Sequence, residues 1–401
     1  MSFWNTLKQK LRSLVPVSRT YMDNKLRELE KENKRQEKIL SELQKNSQSM
    51  LELKDYVAKE LRRRDDWGKR AAQVQREAEN RQIWVIKCPA PEEKKVRWGD
   101  YAYAVALKRY LDRMGIYTII DLREDWDCEV NADVVLVLRG CELYRPDRRN
   151  AKCIYIMWNI SHPEMVTTEE YQLYDIICVG SRHYAKELGD KLTIPVYPLL
   201  QCTDTQLFYP EQESEGKRGK DYLFIGNSRG VARPCVLWAA QDKLPLKIWG
   251  AGWKAMLGPD KNMVQDVFIE NSEIPALYRS ARVTLNDHWK DMLDYQFVNN
   301  RIFDALACGL PVISDCCDEL REIFPEAVLY YSNKEEFESC VKEIENNYAE
   351  VKARVDAQWP VIQEKYSFEA RARELVEMVE EYRNNGFNEN NIKNSDHYSS
   401  L

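Results

Sequence analysis

The residues best placed to do chemistry lie in the run Asn299 to Asp315, NNRIFDALACGLPVISD. It reads as a helix followed by a strand. Asn299 and Asn300 are N-cap types, and Gly309 stands where a helix stops in a left-handed conformation. Pro311 blocks continuation, and Val312-Ile313-Ser314 reads as a short buried strand that ends at Asp315. A helix start presents unpaired backbone N–H groups and a partial positive charge of roughly half a unit. That chemistry suits a diphosphate, seated at Asn299, Asn300 and Arg301. Asp304, about one turn further in, could accept hydrogen bonds from ribose hydroxyls. The alternative is an ordinary α/β unit with a well-capped helix.

The same run resembles the signature of GT-B glycosyltransferases of the family 4 type, and more closely their spore-protein-like (CgeB/YkvP-like) branch. Those enzymes carry an acidic residue followed by an A-x-A-x-G-x-P-V run. Here it is Asp304-Ala305-Leu306-Ala307-Cys308-Gly309-Leu310-Pro311-Val312. By this resemblance Asp304 stands in for a ribose-binding glutamate. The preceding family glutamate falls on Gln296, a departure at the usual contact to the donor sugar. The resemblance spans roughly Ile83 to Tyr382. It implies a nucleotide-sugar co-substrate in the second domain, an acceptor chiefly in the first, and retention of configuration by front-face exchange without an obligatory metal. It also implies a histidine facing the donor sugar after a strand of the first domain, which makes His162 a candidate. Its alternative is a turn histidine that fixes the Ser161-His162-Pro163 corner.

Three further polar turns point to the same cleft if the chain has two domains. They are Gly226-Asn227-Ser228-Arg229, Gly250-Ala251-Gly252 and Asn286-Asp287-His288. Arg229 or Arg233 would neutralise a leaving diphosphate, the main electrostatic task in sugar transfer without a metal. Gly226, Asn227, Gly250, Gly252 and His288 are substrate-binding candidates, with Gly99 and Asp100 at a helix start in the first half. A lone Gly-x-Gly is weak, and it counts here because a strand precedes it. The chain has four histidines. His183 decorates a helix, His397 lies in the tail, and no spacing suggests a metal site or any resident cofactor.

These groups need elements to hold them. Near-continuous apolar strands alternating with helices run from Ile83 onward: Ile83–Ile86, Tyr117–Ile120, Ala132–Leu138, Cys153–Trp158, Asp175–Gly180 and Val196–Pro198. A second set follows a charged stretch at Lys217–Lys220, with strands at Tyr222–Ile225, Leu246–Trp249 and Ala281–Leu285. Such alternation predicts doubly covered parallel sheets. The fold class is therefore α/β, a GT-B arrangement of two Rossmann-like domains facing a cleft, preceded by an α-helical coiled coil. The expected segments are a basic amphipathic helix (1–20), a coiled coil (21–81), an acceptor domain (82–200), a donor domain (201–365), a C-terminal helix (366–386) and a disordered tail (387–401).

The first segment carries Lys8, Lys10, Arg12 and Arg19 with no acidic residue, and sets Phe3, Trp4, Leu7, Leu11 and Leu14 on one face. It suits a peripheral contact with the inner face of an anionic membrane, or a protein partner. Met22, Leu26, Leu29, Asn33, Gln36, Leu40, Leu43, Ser47, Met50, Lys54, Val57 and Leu61 then recur by fours and threes, a seam that weakens at Ser47 and Lys54. Asn33 at an a position favours a homodimer over higher order. A single solvated helix is the alternative.

The 401 residues carry a net charge of −6, which gives no reason to expect nucleic acid. Eleven cysteines without C-x-x-C spacing read as reduced thiols, and no run approaches the ~20 apolar residues of a membrane span. The expectation is a cytoplasmic enzyme, a glycosyltransferase that moves a sugar from a nucleotide-sugar to a glycan or glycoconjugate in bacterial surface polysaccharide assembly. A non-catalytic scaffold that recruits partners through its coil is one alternative. A transferase of phosphorylated polyols is another.

Overall fold

The computed structural model of the chain describes residues 49–385, apart from 129, 147, 149, 212–218 and 229, together with residues 25, 28, 29, 31 and 32. The amphipathic helix at 1–20, the tail at 387–401, Arg229 and most of the heptads before residue 49 lie outside the described residues.

Two compact units are distinguished. The smaller is built on the 30-residue helix α1, Ser49–Ala78, which carries the last heptad positions, with Leu61 55% exposed. Its pattern is polar along its length, and Lys69 pairs with Asp66 one turn earlier at 3.3 Å.

The larger unit contains two six-stranded sheets. In the first half these are β1 Ile83–Lys87, β2 Tyr117–Asp121, β3 Val134–Arg139, β4 Ile154–Asn159, β5 Ile176–Val179 and β6 Val196–Pro198. In the second they are β7 Tyr222–Ile225, β8 Leu246–Trp249, β9 Val264–Asp266, β10 Val283–Asn286, β11 Val312–Ser314 and β12 Val328–Tyr330. The orders are β2-β1-β3-β4-β5-β6 and β12-β11-β10-β7-β8-β9, and every pairing is parallel. The expected strands are found to within a residue or two. The edge strands β9 and β12 were not expected.

Each sheet is buried because its strands are apolar on both faces. In the first half, Trp84, Ile86, Leu136 and Trp158 pack beneath α2 (Gly99–Arg113), and that core also takes Leu375 and Met378 of a late helix. The second sheet has two cores. One carries Ile302, Phe303 and Leu306, and the other carries Val236, Ala239 and Phe337. The helices labelled below are α3 Arg182–Gly189, α4 Pro234–Gln241, α5 Lys290–Asp294, α6 Asn300–Ala307, α7 Asp318–Ile323 and α8 Phe368–Asn385.

The chain crosses between the halves twice, and the crossings are tied together. Thr203 N–H donates to Tyr366 O at 3.0 Å, and Phe368 N–H donates to Thr203 O at 3.1 Å. The buried Arg371 donates to Leu200 O and to Lys365 O, both at 2.8 Å. Helix α8 therefore returns to the first core although its sequence follows the second sheet.

Candidate functional site

In the second sheet the strand order reverses between β7 and β10, so chain leaves their carboxyl ends in opposite directions and opens a crevice there. The turn after β7 and the loop after β8 are zipped together. Ser228 N–H donates to Ala251 O at 3.0 Å, and Ala251 N–H donates to Asn227 Oδ1 at 2.8 Å. A Cβ on Gly250 would lie 2.1 Å from Gly226 O, so only glycine allows this approach. The Gly-x-Gly thus serves backbone packing. Gly226, Asn227 and Gly250 line the cleft. Gly252 is not among the residues lining the cleft and starts the helix Trp253–Leu257 in a left-handed conformation, φ 83°.

Arg233 sits at the crevice with a 12% exposed side chain. It pairs with Asp287 and donates to Asn227 O at 3.2 Å. Its guanidinium lies 5.0 Å over the Trp289 ring and 5.5 Å over that of Phe224. Burial pushes the Asp287 carboxyl up to about 6, while the Arg233 charge pulls it down. An arginine held in this way keeps its fork flat and oriented, which suits it to meet phosphate oxygens.

Helix α6 starts beside this pair. Gly309 ends it at φ 65°, and Leu310 N–H returns to Ala305 O at 2.9 Å, as its sequence requires. Its start differs from expectation. The Asn299 side chain makes no capping bond and donates instead to Asn286 Oδ1 at 3.0 Å. The Asn299 N–H donates to His288 Nε2 at 3.2 Å, and the Asn300 N–H to Gln201 Oε1 at 2.6 Å. Two of the amides offered to a diphosphate are therefore already used.

His288, a substrate-binding candidate, lies at the cleft and braces it. Its Nδ1 lies 2.7 Å from Asp315 Oδ1, and its Nε2 accepts from Asn299. That pattern fixes the neutral tautomer with the proton on Nδ1. Both ring nitrogens are spent on joining β10, β11 and α6.

Asp304 is 2% exposed and links α6 to the first crossing. It accepts from Thr203 Oγ1 at 2.6 Å and from Asn300 Nδ2 at 3.0 Å, and Arg301 Nη1 lies 3.6 Å away. Burial pushes its carboxyl up to about 7, opposed by Arg301 and the Thr203 hydroxyl. Gln296, in a left-handed conformation, accepts from the Asp318 and Glu319 amides and caps α7; it does not line the cleft.

From the first half, Gly99, Asp100, Gly140, Cys141 and His162 face the same space. The cleft has a volume of about 930 Å³ and also takes in Arg233, Asp287, His288, Asn299, Asn300, Arg301 and Asp304. Gln201 spans it at one end, with Nε2 donating to Ile160 O and Oε1 accepting from α6. His162 Nδ1 lies 3.3 Å from Asp291 Oδ2 and 3.4 Å from Glu164 Oε1. The ligand-type atoms of these three lie within 4.8 Å of one another, the spacing of a cation site that the sequence did not suggest.

Residues 233–377 match the family described as glycosyl transferase-like. The whole larger unit has solved counterparts at low identity. A sucrose-phosphate synthase from Thermosynechococcus elongatus superposes with a TM-score of 0.57 at 13% identity, over 76% of this chain and 100% of that one. A glycosyltransferase from Rickettsia africae gives 0.54 at 12%, over 77% and 100%. The Anabaena protein HepE, solved in complex with UDP and glucose, gives 0.50 at 9%, over 75% and 100%. No curated protein sequence matches the chain.

The chain has the GT-B fold, and residues 233–377 within it are similar to the glycosyl transferase-like family. In this GT-B frame, Gln201, Thr203 and Trp289 hold or line the site and were not singled out from sequence, whereas Asp287 and Asp315 were named only as part of a turn and as a strand end. Trp289 follows that turn directly after His288, a position that could have flagged it. Gln201 and Thr203 belong to a crossing that no local pattern announces.

Proposed function

We propose that the protein is a glycosyltransferase that takes a sugar from a nucleoside-diphosphate donor held by its second half and passes it to an acceptor held by its first. The observation that carries this is Arg233, fixed by Asp287 at the β7–β10 crevice beside the start of α6 and the buried Asp304. The nucleotide's ribose belongs at Asp304, its diphosphate between Arg233 and α6, and the transferred sugar towards His162. Arg233 then meets the charge that develops on the leaving diphosphate, where a preorganised cation gains most. Transfer with retention, without a metal in the chemical step, fits that arrangement. The UDP and glucose bound by HepE make a uridine nucleotide the first donor to try.

The acceptor is read as a glycan or glycoconjugate of bacterial surface polysaccharide assembly, and the branch as the spore-protein-like one of the family 4 type. Residues 21–81 would pair two copies as a coiled coil, with 1–20 on the inner face of the membrane of a cytoplasmic enzyme. No helix among the described residues is long and apolar enough to cross a membrane. Incubating the full chain with labelled nucleotide-sugars should release free sugar or transferred product from one of them. A folded protein that turns over none of a broad set would favour a scaffold that keeps the cleft without the chemistry, the reading to which Gln296 as a helix cap would then belong.

A further inference from the structure

One ring nitrogen and two carboxylates converge at the cleft wall. His162 and Glu164 follow β4 in the first half, and Asp291 stands on α5 of the second. His162 takes a left-handed backbone, φ 52°, at the corner that sets Glu164 beside its ring. Its Nδ1 lies 3.3 Å from Asp291 Oδ2 and 3.4 Å from Glu164 Oε1.

Those separations are longer than those of a good hydrogen bond. In the same protein His288 Nδ1 meets Asp315 Oδ1 at 2.7 Å, whereas Asp291 Oδ2 is buried and has no hydrogen-bond partner. Nitrogen and oxygen ligands held at about 2.1 Å from one ion stand about 3.0–3.5 Å from each other. The distances from His162 to both carboxylates fall in that range. Glu164 also lies against Asp291; burial first, and then that contact, push its carboxyl up. Crowding of this kind is relieved by a shared proton or by a cation in the middle. A buried oxygen with no donor, facing a ring nitrogen, favours the cation.

We propose that His162, Glu164 and Asp291 bind one divalent transition-metal ion of the manganese or zinc type, which ties the loop after β4 to α5 and so joins the two halves. An imidazole with two carboxylates suits such an ion better than Mg²⁺ or Ca²⁺, which favour all-oxygen sets. Three protein ligands leave at least one position free, and it opens on the cleft that His162 lines. Trp289 lies 6.4 Å from the His162 ring and 5.0 Å from the Arg233 guanidinium, so the ion site neighbours Arg233 without including it. The leaving diphosphate stays with Arg233, and the ion positions. That the free position meets a sugar hydroxyl rests on the glycosyltransferase reading; ion binding itself does not.

The test uses the full chain, stripped with EDTA and free of nucleotide, titrated with Mn²⁺. Electron paramagnetic resonance reads the free ion, and NMR reads the histidine Cε1 signals, with His162→Gln to assign one of them. One Mn²⁺ should bind per chain and broaden the His162 signal before that of His183, and Zn²⁺ should compete for the site. Asp291→Asn should weaken binding roughly tenfold or more, since even groups that only support a metal's ligands are worth that much. Glu164→Gln, at an exposed position, should do the same if the first variant does not fold. Glu322→Gln, which removes the carboxylate beside His183, should leave the affinity unchanged. If neither Mn²⁺ nor Zn²⁺ at about millimolar concentration binds or perturbs the His162 signal, the proposal is overturned in favour of a shared proton. An ion that Asp291→Asn and Glu164→Gln hold as tightly as wild type overturns it too. No nucleotide enters the experiment, so its failure leaves the donor reading standing, and failure of that reading leaves the ion site standing.

Discussion

Glu319, fully buried on the second half, caps a helix of the first half. Its Oε2 accepts the Arg182 amide at 2.7 Å and the His183 amide at 3.3 Å, and its Oε1 meets Arg182 Nε. The start of α3 is thus satisfied by a carboxylate 137 residues away in sequence. Gln296 caps α7 in turn, so a run of caps joins the Gln296 loop of the second half to α3 of the first.

Glu319→Ala should therefore destabilise the larger unit. Arg182 is 43% exposed and can hydrate once released, so the loss falls below that of a wholly buried pair. About 1–3 kcal/mol is expected, the scale of a lost cap with its charge-assisted bonds. Urea unfolding of the variant checks this. A midpoint equal to wild type would show that the cap contributes nothing.

The Gly250 contact makes a sharper comparison. Gly250→Ala must push apart two backbones that a Cβ would meet at 2.1 Å, whereas Gly115, at φ 83°, has nothing within 4 Å. Gly115→Ala should cost about 1 kcal/mol of backbone strain. Gly250→Ala should cost at least twice that and also weaken nucleotide binding through the Gly226 turn. Equal costs in thermal unfolding would mean the turns slide without penalty.

Asp304 sets a pH dependence. With its carboxyl raised from 3.8 to about 7, the native chain holds a proton that the unfolded chain has released across that window. Stability from this group is present at the acid end, declines as pH rises from about 4 to 7, and is lowest above 7. A ribose diol donates to the ionised form, so affinity should run the other way and rise between pH 6 and 8. Calorimetric titration with a nucleoside, which lacks the titrating phosphate, isolates the effect. Asp304→Asn should flatten it, and a wild-type affinity independent of pH would remove Asp304 from the ribose site.

The sheets were legible because parallel strands covered on both faces must be apolar throughout, as Val134–Arg139 and Ile154–Asn159 nearly are. The stop of α6 was legible from Gly309 and Pro311. What lay hidden was long-range pairing. Nothing near Asn300 announces that Gln201 takes its amide, and nothing near His288 announces that Asp315 and Asn299 take both ring nitrogens. Return of α8 to the first core was hidden for the same reason, since an amphipathic helix does not say which sheet it covers.

The central claim is that the crevice at Arg233 and Asp304 binds a nucleoside diphosphate. Thermal unfolding of the full chain with UDP, GDP, ADP, CDP and dTDP tests it most directly, because a ligand at 100 times its Kd stabilises the native state by about 2.7 kcal/mol. For a unit of this size that is a rise of roughly 4 °C in Tm. One of the five should give it. In Asp304→Ala the binding should weaken by about 1–3 kcal/mol, and in Arg233→Lys the diphosphate should lose more than the bare nucleoside. If none of the five moves the Tm of the folded chain, or if both variants keep the full wild-type shift, the donor site is not where this account places it.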